Sequence, residues 1–473
     1  MLVVVGFCAA PAQAADIPVL HPDGTVSQRF DPGVAARGER VPPRPRTTAV
    51  AAGRTTLSEL RRIYRSGRID RDEYRGYRDE YQRDRAFARR LSGARQRDMR
   101  GVLGTVDRMA ARRRLTATRL VPLWLQLRRN REWWSTGPLL ANGARVSFDG
   151  SELVFQYFPG EGLQIHPLAN FGKLNALWSV KTDVDRMEHL MNELLPLAAK
   201  RAGGVAWEYY FDFGGGAPPW VSSLAQGAGL QALARSASKA GVADLVFPVL
   251  HKALKIFQTG TPSGVRVPAG RGIHYAQYSF APGLRILNGF LESLVGLFDF
   301  AQLANDQTAQ RLFDQGNRRA EQEVPTYDTG AWSLYDRGTD QHESDLNYHK
   351  LVTEFLESLC DRTGELVYCD ALSNFKRYLR EVPGVDVLTR RLRAGHTGTL
   401  RFRLSKISRL SLQLSRDGKV VYSYGATLGY GTHGVAVRPP RRAAEYEVRI
   451  VATDLAGNTG TYTDVVQVVR KRT

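Results

Sequence analysis

A chain of 473 residues is longer than one hydrophobic core usually fills, so we expect several folded units. Its 66 lysines and arginines outnumber 47 acidic residues, and the net charge of +19 favours a polyanionic partner: nucleic acid, an anionic surface or an acidic polysaccharide. Neither zinc-finger spacing nor an RNP-like aromatic motif occurs, so we expect no nucleic-acid partner.

Residues 1–15 have the composition of a secretory signal peptide. The apolar run LVVVGFCAA is followed by an A-x-A site at Ala12 and Ala14. This run is too short to span a bilayer, so the sequence predicts a secreted or cell-surface protein without a transmembrane segment. Its removal would leave Cys360 and Cys369, a pair that favours a disulfide in an exported protein; two separate buried thiols are the alternative.

The next two segments are basic. Residues 16–56 are rich in proline, glycine and arginine and predict a flexible, partly extended arm. Residues 57–135 predict an arginine-rich helical region, in which arginine faces are usually solvated surface and a polyanion-docking platform is the less favoured interpretation. One helical face carries a regular apolar pattern, formed by Met99, Val102, Leu103, Val106 and Met109.

The rest of the chain changes from helices to strands. Residues 136–166 alternate around the Asp149-Gly150 turn and predict a β-hairpin region. Sequential helix pairs in residues 167–383 suggest an α/α toroid or partial barrel, whereas short alternating strands in residues 384–473 predict an Ig-like or fibronectin-type β-sandwich. The predicted fold class is therefore multidomain and mainly α.

Tyrosines are concentrated where the helical pattern breaks. They are Tyr278, Tyr327, Tyr335 and Tyr348, and a phenol in a cleft can serve as an acid, a base or a hydrogen-bond donor. Tyrosines at helix ends are more often core residues whose hydroxyl group reaches solvent than catalysts. The tyrosines alone therefore leave both interpretations open.

Four segments in this region carry a family resemblance. They are WVSSLAQGAGLQAL (220–233), LNGFLESLVGLFDF (287–300), TYDTGAWSLYD (326–336) and the pair Tyr348-His349. In this order they resemble the C-terminal catalytic domain of the D-glucuronyl C5-epimerases. The resemblance implies an α/α toroid, an incomplete barrel, that acts on D-glucuronate residues of an acidic, heparosan-like polysaccharide.

Epimerisation at C5 removes a proton alpha to a carboxylate and returns one to the opposite face of the sugar. It needs a base, an acid across the ring and donors or positive charge at the carboxylate, but no redox cofactor. Residue-by-residue matching implies that Tyr278, Tyr335 and Tyr348 are catalytic, with Tyr348 among those nearest C5. A metal is not expected, because neither H-E-x-x-H nor Cys-x-x-Cys occurs.

Other residues are candidates for binding the substrate. They are Gln277, Tyr327, Arg337, Glu343 and His349. Arg337 lies two residues after Tyr335, where a cation would lower the pKa of a basic tyrosine.

Two positions depart from the family pattern. Gln277 stands where the family has a glutamate, and a glutamine cannot be a general base. Either Glu343 or Asp345 replaces it, or tyrosines act alone, or the chain binds without turnover. Val352 stands at the position of the family's second histidine.

Three functions therefore remain open. The preferred one is a C5-epimerase, and the enzymatic alternative is a uronate lyase, which shares the proton abstraction but then expels the C4 substituent. The third is a secreted polysaccharide-binding protein that has lost the base. The sequence indicates neither the polymer nor the oligomeric state.

Overall fold

The structure, a computed structural model, describes residues 15–32, 54–180, 183–338 and 341–470. Apart from Ala15, the predicted signal peptide lies outside the described residues. The described chain forms two compact units. The first contains the residues up to Leu284 together with Glu292–Arg319, and the second contains Arg285–Leu291 and the residues from Ala320 onward.

A five-stranded sheet belongs to the first unit. Its strands are β1 (Ala15–Leu20), β2 (Val26–Asp31), β3 (Arg145–Phe148), β4 (Phe155–Phe158) and β5 (Gly162–Ile165), in the order β2-β1-β3-β4-β5. β1 runs parallel to β3, and the other neighbours are antiparallel. The chain turns after β3 at Gly150, whose φ is +68°, and returns to β3 as β4. The predicted hairpin is thereby confirmed, with β5 as an added strand.

Strands β1 and β2 differ from the flexible arm predicted for residues 16–56. Ile17 and Val19 on alternate positions of β1 are buried, and Asp31 at the end of β2 pairs with Lys173 at 2.7 Å. Both charged side chains are fully buried. The arm prediction is wrong for this part because β1 pairs with β3, far along the chain, which no local pattern reveals. Residues 33–53 lie outside the described residues.

Helices make up most of the first unit. They are α1 (Thr56–Arg65), α2 (Arg71–Arg90), α3 (Gly93–Ala111), α4 (Ala117–Thr136), α5 (Pro167–Ser179), α6 (Val184–Leu194), α7 (Ser223–Lys239), α8 (Ala243–Ala253) and α9 (Lys255–Gln258), with α10 (Leu287–Ala304) and α11 (Gln307–Glu323), which have residues in both units. Two short hairpins are inserted among them: β6 (Ala199–Arg201) with β7 (Gly204–Ala206), and β8 (Arg266–Ala269) with β9 (Gly272–Tyr275).

Local chemistry explains several of these helices. Thr55 and Asp70 form capping boxes at the starts of α1 and α2. The five apolar residues predicted to share a face of α3 are all buried, which confirms that pattern. Helices α7 and α10 approach closely through glycines: a Cβ on Gly296 would lie 2.1 Å from the carbonyl oxygen of Gly227.

The second unit contains two further helices and a small ladder. α12 spans Leu346–Thr363 and α13 spans Leu366–Tyr378, while β10 (Arg285–Ile286) pairs antiparallel with β11 (Asp336–Arg337). α12 ends at Gly364, whose φ of +67° suits glycine. A disulfide joins Cys360 to Cys369 across this turn, with Cα atoms 5.0 Å apart, so the predicted bridge is confirmed.

Two β-sheets complete the second unit. Their strands are β12 (Val385–Val387), β13 (Arg391–Arg393), β14 (Gly398–Leu404), β15 (Ser408–Arg416), β16 (Lys419–Leu428), β17 (Gly431–Val437), β18 (Ala444–Asp454) and β19 (Thr459–Val469). The sheets have the orders β12-β14-β17 and β13-β19-β18-β15-β16. Alternate residues of both sheets form one apolar core, which includes Phe402, Leu412 and Ile450. A multidomain chain of helices and sheets is thereby confirmed.

Polar contacts join these sheets to the helices of the same unit. The buried ammonium of Lys406 donates to the carbonyl oxygen of Tyr378 at 2.8 Å and pairs with Asp454 at 2.7 Å. Tyr462 donates to the carbonyl oxygen of Pro383. The end of α13 is therefore attached to the sheets, although the sequence predicts a domain boundary at residue 384.

Among the described residues, none of the helices combines the length and the apolar character that crossing a bilayer requires.

Candidate functional site

The first group of candidate residues follows strand β9. Gln277 and Tyr278 are each only 1% exposed, and the Gln277 amide donates to the Tyr278 hydroxyl at 3.2 Å. The carbonyl oxygen of the Gln277 side chain is buried and has no hydrogen-bond partner within the described part of the chain. A neutral amide cannot remove a proton, but this oxygen can accept a hydrogen bond.

Aromatic rings surround Tyr278. Its ring lies 5.5 Å from Phe280, 5.7 Å from Phe213 and 5.9 Å from Trp220. Phe280 is partly exposed, whereas Phe213 and Trp220 are buried. The aromatic side chains of residues 207–213 are all buried in the core, and Phe280 lies at the edge of the cluster around Tyr278.

An ionisable cluster of the first unit was missed by the sequence analysis. Arg108 of α3 pairs with Asp212 at 2.9 Å and lies 3.9 Å from Glu161, in the turn before β5. Burial and then the charge of Asp212 raise the pKa of Glu161 to about 7, although Arg108 opposes the increase. The three residues are far apart in sequence, so no motif could have identified them.

The second group of candidate residues belongs to the second unit. Tyr335 precedes β11, and Tyr348 lies in the first turn of α12. Their rings meet edge to face at 4.6 Å, and they are 3% and 5% exposed. Asp345 caps α12 by accepting the backbone N–H of Tyr348 at 2.9 Å, and this positions that tyrosine. The structure thus brings together two of the three tyrosines assigned to catalysis.

His349 is enclosed in the interior of the second unit. Its ring stacks on Trp332 at 3.8 Å, and its Nε2–H donates to the carbonyl oxygen of Phe375 at 3.0 Å. Nδ1 then accepts from the Ser333 hydroxyl at 2.8 Å. Burial lowers the pKa of His349 to about 4, so the imidazole is neutral near pH 7. These contacts connect α12 to α13.

Tyr327 and Arg337 lie on either side of the loop that carries Tyr335. The Tyr327 hydroxyl donates to Glu323 at 3.2 Å, and burial followed by this carboxylate raises the pKa of Tyr327 well above its usual range. Arg337 donates to the carbonyl oxygen of Thr326 at 2.9 Å and partly offsets that increase. The guanidinium therefore acts electrostatically on Tyr327. The effect of Arg337 on Tyr335 stays a prediction.

Glu343 has defined partners in the second unit. Its carboxylate accepts the backbone N–H of Ile407 at 2.8 Å and that of Tyr430 at 2.7 Å. Burial raises the pKa of Glu343, and the two N–H donors oppose the increase. The carboxylate thus connects the loop before α12 to the sheets. No group of three or more potential metal ligands occurs within the described ranges.

Comparison with known proteins finds similarity over part of the chain. Residues 202–377 match the family model described as D-glucuronyl C5-epimerase C-terminus. Over 158 residues the chain is 37% identical to D-glucuronyl C5-epimerase of Caenorhabditis elegans, which is 30% of this chain and 26% of the worm protein. It is 23% identical over 171 residues to an uncharacterized protein of Methanocaldococcus jannaschii, which is 35% of this chain and 54% of that protein. The chain thus spans from a quarter to about half of these relatives.

Solved structures add no fold assignment. Fibronectin(III)-like modules of Clostridium thermocellum CbhA match 19% of this chain and all of their own, at 16% identity and a TM-score of 0.15. An engineered protein matches 74% of this chain and 70% of its own, at 13% identity and a TM-score of 0.16. Both TM-scores are too low to assign a fold.

Proposed function

We propose, from the premise that residues 202–377 form a D-glucuronyl C5-epimerase C-terminal domain, that this protein epimerises D-glucuronate residues of an acidic polysaccharide at C5. The observation that carries the proposal is that this domain holds Tyr335 and Tyr348, two of the three tyrosines that the resemblance assigns to catalysis, as a contacting pair. Positive net charge supports an acidic polymer as the substrate.

The proposed reaction moves one proton off C5 and another onto it. A phenolate at one tyrosine takes the C5 proton, the electron pair delocalises into the C6 carboxylate, and a phenol delivers a proton to the opposite face. The reaction is redox-neutral and needs no cofactor. We assign the two roles to Tyr348 and Tyr335, and Tyr278 is the third tyrosine that the resemblance assigns to the reaction.

Gln277 is not the base in this proposal. Its amide hydrogen-bonds Tyr278, and its free carbonyl oxygen can accept from a hydroxyl of the substrate. We propose structural roles for Glu343 and Asp345, because one accepts two backbone amides and the other caps α12. Their carboxylates are therefore already engaged by the protein.

Incubation with a glucuronate polymer in deuterated water tests the activity. Deuterium at C5 supports the epimerase, and absorbance from an unsaturated chain end would indicate the lyase instead. The absence of both signals across several uronate polymers would refute both enzymatic functions. The polysaccharide-binding alternative, which Gln277 favours, would then remain.

Substitution of Tyr348 by phenylalanine tests the mechanism. The variant should lose deuterium exchange and keep its fold, because one hydroxyl contributes far more to proton transfer than to packing. Tyr446→Phe is the matched control, since it removes a largely buried tyrosine hydroxyl from β18 and should leave exchange unchanged. A Tyr348→Phe variant that exchanges deuterium as fast as Tyr446→Phe and the wild type would remove Tyr348 from the mechanism.

We also propose an extracytoplasmic location and a finer architecture. Disulfides persist in oxidising compartments, so the Cys360–Cys369 bridge supports export, as does the apolar run in residues 1–15. The helices from α5 to α13 are proposed to form the α/α toroid. The two sheets after residue 384 are proposed to form an Ig-like β-sandwich.

A further inference from the structure

Helix α2 carries a continuous row of arginines on one side. The row occupies helix positions i, i+4, i+7, i+14 and i+18, which lie within an arc of about 80° around the axis at 3.6 residues per turn. We call it the arginine stripe, and its members are Arg71, Arg75, Arg78, Arg85 and Arg89. Gln82 fills the i+11 position. The helix's acidic residues fall at other angles, so the positive charge is segregated.

The helix contributes little to the hydrophobic core. Of its 20 residues only Tyr81, Asp84 and Ala88 are buried. A helix that is polar almost all round needs a reason other than packing to keep its composition. Residues 54–136 contain 23 arginines, no lysine and 10 acidic residues, a difference of +13 out of the chain's +19. More than half of the net charge therefore lies in the segment that forms α1 to α4, which includes this helix.

Much of the stripe is available to a ligand. Arg71, Arg85 and Arg89 are exposed, and none of them forms an ion pair with a carboxylate in the part of the chain that the structure describes. Arg75 lies 4.0 Å from the exposed Asp72, and Arg78 pairs with Asp79. Exposed pairs of this kind are weak and exchange readily with an external anion.

Aromatic rings lie beside one end of the stripe. Tyr64 of α1, 36% exposed, stacks on Tyr74 of α2 with centroids 5.1 Å apart. The Arg78 guanidinium lies 5.9 Å from the Tyr74 ring. Guanidinium groups bind carboxylates through paired hydrogen bonds, and the apolar face of a sugar packs well on an exposed ring. The combination fits a chain of sugars that bears carboxylates.

We propose that the arginine stripe is a docking surface for an acidic polysaccharide, outside the residues that match the epimerase domain. The choice of a uronate polymer rests on the proposed function. The stripe itself rests on charge, exposure and periodicity. It holds a long polymer by several weak contacts and so raises the local concentration of substrate.

Two variants of equal charge test the surface. The first replaces Arg71, Arg75, Arg85 and Arg89 by glutamine, which is a good helix former and should keep α2 intact. The matched control makes the same replacement at exposed strand positions of the second unit, namely Arg391, Arg393, Arg401 and Arg403. Circular dichroism confirms that both variants are folded.

Binding is measured with long heparosan chains, an unsulfated polymer that contains glucuronate, at about 0.05 and 0.2 M salt. The stripe variant should bind at least about tenfold more weakly at the lower salt and lose much of the salt dependence. The control variant should stay within about twofold of the wild type. Equal weakening of both variants would show that net charge alone attracts the polymer, and would overturn the proposal.

Two further measurements separate this surface from other possibilities. Single-stranded DNA of matched charge should compete poorly with heparosan, and stronger binding of the DNA would overturn the assignment to polysaccharide. Deuterium exchange at C5 is measured on a short glucuronate oligosaccharide. Exchange that survives in the stripe variant supports a separate docking role. Suppose that the wild type shows no exchange, and that the stripe variant loses heparosan binding whereas the control variant keeps it. The proposed function then fails and the docking surface stands.

Discussion

Replacing Glu161 by glutamine should make the protein more stable in alkaline solution. The carboxyl is largely buried in the turn before β5, next to Asp212 and 3.9 Å from the Arg108 guanidinium. Burial and Asp212 raise its pKa from 4.5 to about 7. Glutamine has nearly the same shape and carries no charge at any pH, so it keeps the packing and removes the ionisation.

The sign follows from proton linkage. A carboxyl whose pKa is higher in the folded state stabilises the fold below pH 4.5, and this contribution is lost as the pH rises through 7. Each pKa unit corresponds to about 1.4 kcal/mol, so ionised Glu161 costs at most about 3 kcal/mol at pH 8.5. The difference in unfolding free energy between the variant and the wild type should therefore be larger by up to that amount at pH 8.5 than at pH 4.5.

Urea unfolding followed by tryptophan fluorescence between pH 4.5 and 8.5 measures the difference. Asp212→Asn removes the neighbouring charge, so it should lower the pKa of Glu161 and reduce the loss of stability. Glu447→Gln removes an exposed carboxylate from β18 and is the control. A difference between Glu161→Gln and the wild type that stays constant across this pH range would refute the reasoning.

Three further predictions concern stability. Replacing both Cys360 and Cys369 by serine should cost about 2–3 kcal/mol in the chain-entropy model, since the loop is short, and an unchanged urea midpoint would contradict this. Burial lowers the pKa of His349 to about 4, so the neutral imidazole stabilises the fold above pH 6.5, and this stabilisation is lost as the pH falls through 4. The His349→Phe variant, though less stable at pH 7, should lose less stability on acidification, as measured by urea unfolding. Lys173→Met leaves Asp31 buried without its cation and should cost about 3–5 kcal/mol, with early proteolytic cleavage near β2; cleavage at the wild-type rate would exclude this role.

Periodic features were predictable from the sequence. The apolar face of α3, the helix pairs and the alternating strands after residue 384 each repeat locally. The pair Cys360 and Cys369 in a chain with a predicted signal peptide indicated their bridge. Features that depend on distant partners were not predictable. Strand β1 needs β3, and the pKa of Glu161 depends on Asp212 and Arg108.

For the candidate site, the sequence supplied residues but not their partners. Tyr335 and Tyr348 were selected through the resemblance to the family, and in the structure their rings are in contact. The partners of Glu343 could not be foreseen, because they are backbone amides of the later strands. A sequence marks such a residue as a potential acid but does not reveal that the fold already uses its oxygens.

The polar junction within the second unit has a consequence for truncation. A chain cut before residue 384 would lose Lys406 and leave the carbonyl oxygen of Tyr378 without its buried donor. It would also expose the Glu343 carboxylate by removing the amides of Ile407 and Tyr430. Shortened versions made for crystallisation or catalysis should therefore keep the strands, because these strands shape the loop that leads into Tyr348.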